Sequence, residues 1–316
     1  MRAAWAMRVV YVMVTGIVMG ASSVAQTGVV EGAPALLPAF DARERLPAPA
    51  LSFVVIGDWG GAAKDLRALA AGLARKHEDD PVVAVLAAGG NFLDGGVAGI
   101  DDPQWESKFE SVFGTAGMDA PFWAVPGMAD AKGDVDAQTR YRSRNSTVSW
   151  NMPARNWTTV FSSADGSLHV RVTGIDTPGL LAAADAERSR HVAWLDSVCA
   201  TSKEQRHIVL GHHPVYSNGR NGNTLGMIRH VKPILEKYRV DAYLAGRDND
   251  LQVLSRANGV GYLVSGAAVR ARDTRWAANT LFAAADRGFL WLQANKDALL
   301  VQCVDTDGHV IFSTRL

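Results

Sequence analysis

A short apolar strand pattern that ends in glycine recurs along the chain, and it constrains the fold more than any other feature. Leu51–Ile56 is mostly apolar, finishes in three β-branched residues, and is followed directly by Gly57. Helical spacing of apolar residues separates several such runs. Strands that alternate with helices predict an α/β fold in which sites form at the carboxyl ends of the strands. The further predicted strands are 82–86, 122–125, 170–175, 207–210 and 242–245, and the predicted helices are 66–76, 192–199 and 228–238.

The composition is that of one ordinary globular domain, which we place at 51–316. Hydrophobic residues make up 48% of the 316 residues, and this supplies enough apolar material for a large core. Lys and Arg together number 32, as do Asp and Glu, so the net charge gives no reason to expect a nucleic-acid or anionic-membrane partner. Apolar and polar residues alternate over 288–316 around Asp307 and Gly308, and this pattern predicts a closing hairpin.

The first 50 residues differ in character from the rest. Two arginines precede an apolar run over 9–20, and Ala25 closes a Ser-Val-Ala sequence of small residues. We therefore predict a signal peptide over 1–25 and a protein that is secreted, lumenal or periplasmic, with an uncleaved anchor as the alternative. Residues 26–50 are rich in Ala, Pro and Gly and are predicted to be a linker. No later apolar segment is long enough to suggest a transmembrane helix.

The two cysteines and two glycosylation sequons leave alternatives open. Cys199 and Cys303 could pair in an oxidising compartment or could remain as buried free thiols. Asn145 and Asn156 each begin an Asn-X-Thr sequon, which would be glycosylated only in a eukaryotic host.

Five motifs occur in a fixed order at the ends of the predicted strands. They are Gly-Asp-Trp-Gly-Gly at 57–61, Gly-Gly-Asn-Phe-Leu at 89–93, Gly-Met-Ala-Asp at 127–130, Gly-His-His-Pro-Val-Tyr-Ser at 211–217 and Gly-Arg-Asp-Asn-Asp-Leu-Gln at 246–252. In this order they resemble the purple acid phosphatases, a branch of the calcineurin-like metallophosphoesterases. That family carries Gly-Asp-Asn-Phe-Tyr, Gly-Asn-His-Asp, Gly-His-Tyr-Pro-Val-Trp-Ser and Gly-His-Asp-His-Asn-Leu-Gln at the last four. The resemblance extends from about Leu51 to the C-terminus and is closest to the short, mammalian-type members.

The resemblance implies both a fold and a chemistry. The implied fold is two packed mixed β-sheets flanked by helices, a four-layer α/β/β/α sandwich. The implied chemistry is hydrolysis of phosphomonoesters, in which a dinuclear iron-containing centre supplies the hydroxide that attacks phosphorus. Such a centre needs several carboxylate, imidazole or phenolate ligands, so the activity depends on whether those side chains are present.

Most of the ligand positions implied by the resemblance carry side chains that cannot bind these metals. Asp58 and His212 match the family's ligands, and Asn249 is a weak amide substitute for a histidine. A guanidinium keeps its proton in proteins and cannot act as a ligand. We therefore predict a degenerate metal site. The substituted positions are Gly90 for the bridging carboxylate, Leu93 for the tyrosinate, Met128 for the asparagine, Arg247 for a histidine and Ala129 for the proton-donating histidine.

Two hypotheses follow for the residues that remain. In the first, Arg247 replaces the charge of a metal and pairs with Asp58, because an unpaired buried carboxylate is costly. In the second, Arg247 forms an anion-binding group with His212, His213 and Asn91 that holds phosphate without hydrolysing it. The competing interpretation is that Asp58 only braces a loop and that the two histidines are a buried, hydrogen-bonded pair.

Four further aspartates, Asp94, Asp130, Asp248 and Asp250, could form an unrelated calcium or magnesium site. Their spacing matches no EF-hand loop, so we prefer the interpretation that they lie in solvated loops.

The function favoured by the sequence is that of a secreted pseudophosphatase that acts by binding and needs no cofactor. Its partner would be an unidentified protein or a phosphate-like anion. The alternative is an active acid phosphatase with a rebuilt or single-metal site. A third interpretation, a decaying gene product, conflicts with the intact strand pattern, because drift erodes core patterning as well as ligands.

Overall fold

The structure, a computed structural model, describes residues 28–37, 39–144 and 147–316. The predicted signal peptide over 1–25 and the sequon residue Asn145 lie outside these ranges. In the described part of the chain, no helix combines the length and the apolar character needed to traverse a bilayer.

Strands and short helices alternate along the described chain. In order, the strands are β1 (Val30–Glu31), β2 (Leu51–Ile56), β3 (Ala84–Ala87), β4 (Phe122–Ala124), β5 (Trp150–Asn151), β6 (Trp157–Ser162), β7 (His169–Gly174), β8 (Arg206–Leu210), β9 (Ala242–Ala245), β10 (Leu251–Leu254), β11 (Gly261–Ser265), β12 (Thr274–Arg275), β13 (Thr280–Ala284), β14 (Gly288–Ala294), β15 (Leu299–Asp305) and β16 (Val310–Arg315). The helices are α1 (Ala63–Asp79), α2 (Ser111–Phe113), α3 (Val135–Arg140), α4 (Thr177–Ala182), α5 (Asp185–Thr201), α6 (Leu225–His230) and α7 (Lys232–Lys237), with a π-helical turn over Trp105–Glu110 and a 3₁₀ turn over Asp130–Lys132.

Two seven-stranded sheets contain most of these strands. The first sheet has the order β16-β15-β14-β2-β3-β4-β5, and the second has the order β13-β10-β11-β9-β8-β7-β6. The neighbours from β2 to β5 pair in parallel, as do the neighbours β7, β8, β9 and β11. The other pairs within the two sheets are antiparallel. Both sheets are therefore mixed, as the resemblance implies.

The alternation of side chains along β2 places the two sheets in the middle of a four-layer sandwich. Phe53 and Val55 point into the core between the sheets, whereas Val54 and Ile56 point to the opposite face, where α1 packs. Helices α4 to α7 cover the outer face of the second sheet. Each fully buried aliphatic or aromatic side chain contributes about 1.5–3 kcal/mol, so the middle core fixes one sheet against the other. The predicted fold class is confirmed.

The predicted elements are present with shifted boundaries, apart from one helix. The pattern at 228–238 predicted a single helix, but the structure has α6 and α7, which are separated at Val231. Pro233 lies in the first turn of α7. There its missing N–H costs nothing, whereas inside a longer helix it would remove a backbone hydrogen bond and clash with the preceding turn. The closing hairpin is confirmed as β15 and β16.

The segment predicted as a linker contacts the domain at several of its described residues, although much of it is exposed. Strand β1 pairs in parallel with β12, and Leu46 is buried in the core beside α1. The Arg45 guanidinium lies 5.0 Å from the centre of the Trp291 ring. The Ala, Pro and Gly content of residues 26–50 indicates irregular backbone, and irregular backbone also occurs where a segment runs over the surface of a domain.

Two of the alternatives left open by the sequence have structural outcomes. Cys199 on α5 and Cys303 on β15 are both buried and unpaired, as the free-thiol alternative expects. The Asn156 side chain is engaged in the fold, because its Nδ2 lies 3.0 Å from His191 Nδ1 and its Oδ1 accepts from the Asp176 backbone N–H at 2.8 Å.

Candidate functional site

Loops that follow the parallel strands meet at one edge of the sandwich and line a cleft with a volume of about 580 Å³. Because the carboxyl ends of parallel strands gather at the same edge, Asp58 and Asn249 come into contact although 191 positions separate them. The structure thus brings together most of the positions predicted from the sequence. Those that line the cleft are Asp58, Leu93, Met128, Ala129, His212, Arg247 and Asn249.

Asp130 holds the loop that follows β3. Its Oδ2 accepts hydrogen bonds from the backbone N–H groups of Gly90, Asn91 and Gly127 at 2.7–3.1 Å, and its Oδ1 accepts from two further N–H donors. Burial raises the pKa of this carboxyl, and the backbone donors oppose the rise. Asp130 is fully buried, so the prediction that it lies in a solvated loop is wrong. It is a structural anchor of the site.

Asn91 belongs to the same support and is not available to an anion. Its Oδ1 accepts from the Trp59 indole N–H at 3.0 Å, and its Nδ2 donates to the Val125 carbonyl oxygen and to Gln138 Oε1, each at 3.0 Å. The residue is fully buried and does not line the cleft. The prediction that Asn91 binds an anion is therefore wrong, because the fold uses both ends of its amide.

Asp58 and Asn249 form a direct contact within the cleft. Asp58 Oδ2 accepts a hydrogen bond from Asn249 Nδ2 at 2.7 Å. Burial raises the pKa of Asp58 to about 7, against the lowering effects of this hydrogen bond and of the nearby charges of Arg270, Arg247 and Arg272. Since Asn249 turns an N–H donor toward Asp58, it presents no oxygen ligand beside that carboxylate.

Arg247 does not form the predicted ion pair with Asp58. Its Nη1 donates to the sulfur of Met128 at 2.8 Å, and Asp58 takes its hydrogen bond from Asn249 instead. The charge of Arg247 still lowers the pKa of Asp58 through space. The prediction of a direct pair is wrong because a neutral amide, rather than the guanidinium, is the group that contacts the carboxylate.

The two adjacent histidines have different environments. His212 lines the cleft, and its Nδ1 donates to the Ala88 carbonyl oxygen at 3.1 Å. His213 is buried outside the lining of the cleft, with its Nδ1 2.9 Å from the Thr177 hydroxyl. Burial lowers the pKa of His212 to about 4 and that of His213 to about 2, so both are neutral at pH 7. Only His212 can meet a ligand in the cleft, and the inclusion of His213 in an anion-binding group is wrong.

Asp248 and Asp250 are buried and hydrogen-bonded, so the prediction of solvated loops is wrong for them too. Asp248 accepts from the Ser217 hydroxyl and from the Asn221 amide. Asp250 accepts from Gln252 Nε2 at 2.7 Å, and burial raises its pKa to about 8. Both residues brace the loops beside Arg247.

The residues at the implied ligand positions do not fit a two-metal centre. Gly90 has a φ of 69°, and a Cβ built on it would lie 2.7 Å from the Asp58 Cα and collide with the Asp58 carboxylate. A side chain at position 90, including a bridging carboxylate, therefore requires Asp58 to move. Met128 offers only a soft thioether, and the fixed charge of Arg247 repels a metal cation.

A different group of residues comes closer to a cation site. Within the described ranges, one set of three acidic or histidine side chains is close enough to share an ion. This set lies at the turn between β15 and β16, outside the lining of the cleft, and consists of Asp305, Asp307 and His309.

Four cationic side chains line the cleft, and the sequence pointed to one of them. Arg247 follows β9, Lys132 ends the 3₁₀ turn, and Arg270 and Arg272 lie between β11 and β12. In the ranges that the structure describes, none of the four forms an ion pair with a carboxylate. The three missed residues stand in no motif, and nothing in the sequence separates them from ordinary surface charges.

The acidic residues of the same cleft, in contrast, are engaged with other partners. Asp94 is exposed, as predicted, and pairs with Lys108 at 2.6 Å. Asp65 pairs with Arg287 at 2.7 Å. Asp58 and Asp248 have neutral hydrogen-bond partners instead, so within the described residues the four cations outnumber the cleft carboxylates that lack a paired cation.

Comparisons with known proteins identify the family. The family model for calcineurin-like phosphoesterases matches residues 51–246. The chain belongs to this family. Human tartrate-resistant acid phosphatase type 5 is 31% identical over 298 residues, which span 85% of this chain and 91% of that protein. It is also homologous to the tartrate-resistant and purple acid phosphatases.

Solved structures agree with this assignment. The structure described as GAP50, the anchor in the inner membrane complex of Plasmodium, has a TM-score of 0.76 and 25% identity, over 84% of this chain and 88% of that chain. Purple acid phosphatase PPD1 of yellow lupin has a TM-score of 0.62 at 15% identity, over 85% of this chain and 54% of that chain. The substituted positions of this family member depart from the ligand pattern that the resemblance implies.

Proposed function

We propose that this protein is a non-catalytic member of its family, a pseudophosphatase that acts by binding. The observation that carries the proposal is Gly90, which has no side chain at the position implied for the bridging carboxylate and lies so close to Asp58 that an added Cβ would collide with it. Without that carboxylate, the site lacks the bridge that would hold two metals side by side to clamp the attacking and leaving oxygens of a phosphoryl transfer.

The acid that such a hydrolysis needs is also missing. Ala129 stands at the proton-donor position and has no proton to transfer. Among the described residues, His212 is the one histidine that lines the cleft, and burial lowers its pKa to about 4. Because a general acid works best with a pKa near the operating pH, a neutral His212 is poorly suited to protonate a leaving group at neutral pH.

A binding role has a parallel in a relative. GAP50 of Plasmodium is described as an anchor in the inner membrane complex, and it shares the fold of this chain over most of its length. We extend that kind of role to this protein, with the cleft as its contact site.

We also infer that residues 1–25 direct export. The basic residues, apolar run and small residues before Gln26 support this inference. Sequencing of the mature N-terminus should find Gln26. A protein that keeps Met1 and stays inside the cell would refute the inference.

The proposed loss of catalysis is tested by metal analysis and a phosphatase assay on one purified sample. We expect substoichiometric iron, zinc and manganese and no hydrolysis of p-nitrophenyl phosphate at acid or neutral pH, in a protein that unfolds cooperatively. Human tartrate-resistant acid phosphatase type 5, prepared in the same way, is the positive control. Incubation with iron and zinc before the assay distinguishes a protein that lost its metals from one that cannot bind them. Two bound metals together with turnover would refute the proposal.

A further inference from the structure

We propose that the cleft binds a ligand with two or more phosphate-type groups, such as a diphosphate, through Lys132, Arg247, Arg270 and Arg272. This inference rests on the proposed function, because it assigns to these four cations the anion-binding role that paired metals would otherwise fill. Neither the sequence motifs nor the family comparisons point to Lys132, Arg270 or Arg272.

The first support is the charge of the cleft. The chain as a whole has a formal net charge of zero, yet the cleft holds four cations that form no direct ion pair among the described residues. Asp58 and Asp248 also line it and have neutral hydrogen-bond partners, so they offset part of this charge. Asp65 is paired with Arg287, so the four cations still leave the cleft with a net positive charge. Clustered positive charge in a cleft with protein walls raises the local concentration of anions.

The second support is the number of free donors. Arg247 places one N–H on the Met128 sulfur, which is a weak acceptor. A phosphate oxygen accepts a much stronger, charge-assisted hydrogen bond from a guanidinium, and it can bind two N–H groups at once. An anion that enters the cleft can therefore displace the thioether at little cost.

The third support is the anchoring of the segment that carries Arg270 and Arg272. The backbone N–H of Arg272 donates to the Asn249 carbonyl oxygen at 2.7 Å. Just beyond it, Asp273 Oδ1 accepts from the Val29 backbone N–H at 2.7 Å. These bonds hold the segment against the loop after β9 on one side and against the N-terminal segment on the other. A backbone fixed in this way loses less entropy when its side chains bind a ligand.

The placement of the cations and the size of the cleft indicate more than one phosphate. Four cations outnumber Asp58 and Asp248, the cleft carboxylates with neutral partners, so positive charge is left over for an anion. Lys132 comes from a loop of the first sheet, and the three arginines come from loops of the second, so the charges lie on two walls. A volume of about 580 Å³ lies in the range of sites that hold a whole small molecule. Leu93 and Val269 supply apolar wall for its uncharged part.

The test is calorimetric titration of the metal-free full chain with pyrophosphate and, separately, with inorganic phosphate. We expect pyrophosphate to bind at least about tenfold more tightly, with an affinity that falls as salt is added. The double variant Arg270→Gln, Arg272→Gln should bind pyrophosphate at least about tenfold more weakly. The charge-preserving pair Arg270→Lys, Arg272→Lys should lie between the double Gln variant and the native chain, because it keeps the charge and loses the paired donors.

Arg190→Gln is the matched control, since Arg190 is an exposed arginine on α5 that does not line the cleft. It should bind pyrophosphate as the native chain does, and each variant should melt at the native temperature. Equal affinity for phosphate and pyrophosphate would overturn the two-group assignment, and an unchanged affinity in the double Gln variant would overturn the assignment of residues. Both results are independent of the metal and turnover measurements that test the proposed function.

Discussion

Replacing His207 with glutamine should make the protein less sensitive to acid. His207 is buried on β8, and its Nε2 lies 2.9 Å from the Thr173 hydroxyl. Burial lowers its pKa from 6.5 to about 4, and the charge of Arg171 acts in the same direction. In the unfolded chain the imidazole regains an ordinary proton affinity, so the two states bind different numbers of protons between these pH values.

The size of the effect follows from that difference in pKa. A change from 6.5 to about 4 corresponds to about 3 kcal/mol, at about 1.36 kcal/mol for each tenfold change in proton affinity. The unfolded state binds more protons in this window, so stability rises with pH across it. The contribution is fully present above pH 6.5 and is lost as the pH falls toward 4. Glutamine does not titrate and has no such dependence.

The assay is urea unfolding of the native chain and of His207→Gln at about pH 7.5 and about pH 4.5. The variant should be less stable at the higher pH, where it only loses packing and a hydrogen bond. Its stability relative to the native chain should improve by about 2–3 kcal/mol at the lower pH. His230→Gln is the control, because burial lowers the pKa of His230 in the same direction but that residue is only partly buried, so its change should be smaller. An equal difference in stability at both pH values would refute this account of His207.

Three further predictions concern the site and the thiols. Asp130→Asn should lower the free energy of unfolding by about 2–5 kcal/mol in chemical denaturation. The reason is that an amide leaves at least two of the buried N–H donors without an acceptor. A loss below about 1 kcal/mol would show that Asp130 is not the anchor of its loop. Gly90→Asp should bind no iron by elemental analysis, and it should destabilise the fold by more than the control Gly117→Asp does. Gly117 has a similar φ of 78° but open space around it, whereas a side chain at Gly90 collides with Asp58. Iron binding by Gly90→Asp would instead mean that Asp58 readily moves aside. The two buried cysteines should react with a thiol reagent only after unfolding, and rapid labelling of the native chain would contradict their burial.

Much of the fold could be predicted from the sequence, because its signals are local. The alternation of Phe53 and Val55 with Val54 and Ile56 depends only on the geometry of an extended chain, and it assigns each side chain to one face of a sheet. The break of the helix predicted at 228–238 also has a local signal, because Pro233 favours the first turn of a helix over its interior. The substituted ligand positions could also be read residue by residue, because glycine, leucine and methionine cannot supply the missing donors.

The sequence by itself thus determined the layers and the family, and it gave the residue at each implied ligand position. The tertiary structure decided which polar atoms meet. Asn249, rather than Arg247, is hydrogen-bonded to Asp58. The amide of Asn91 is hydrogen-bonded inside the core, and Lys132, Arg270 and Arg272 line the same cleft. The periodicity of apolar residues reflects the local geometry of neighbouring residues in a strand or helix. A hydrogen bond or an ion pair at a site depends instead on distances between loops that are far apart in sequence. Those distances are set only when the two sheets pack on their shared core.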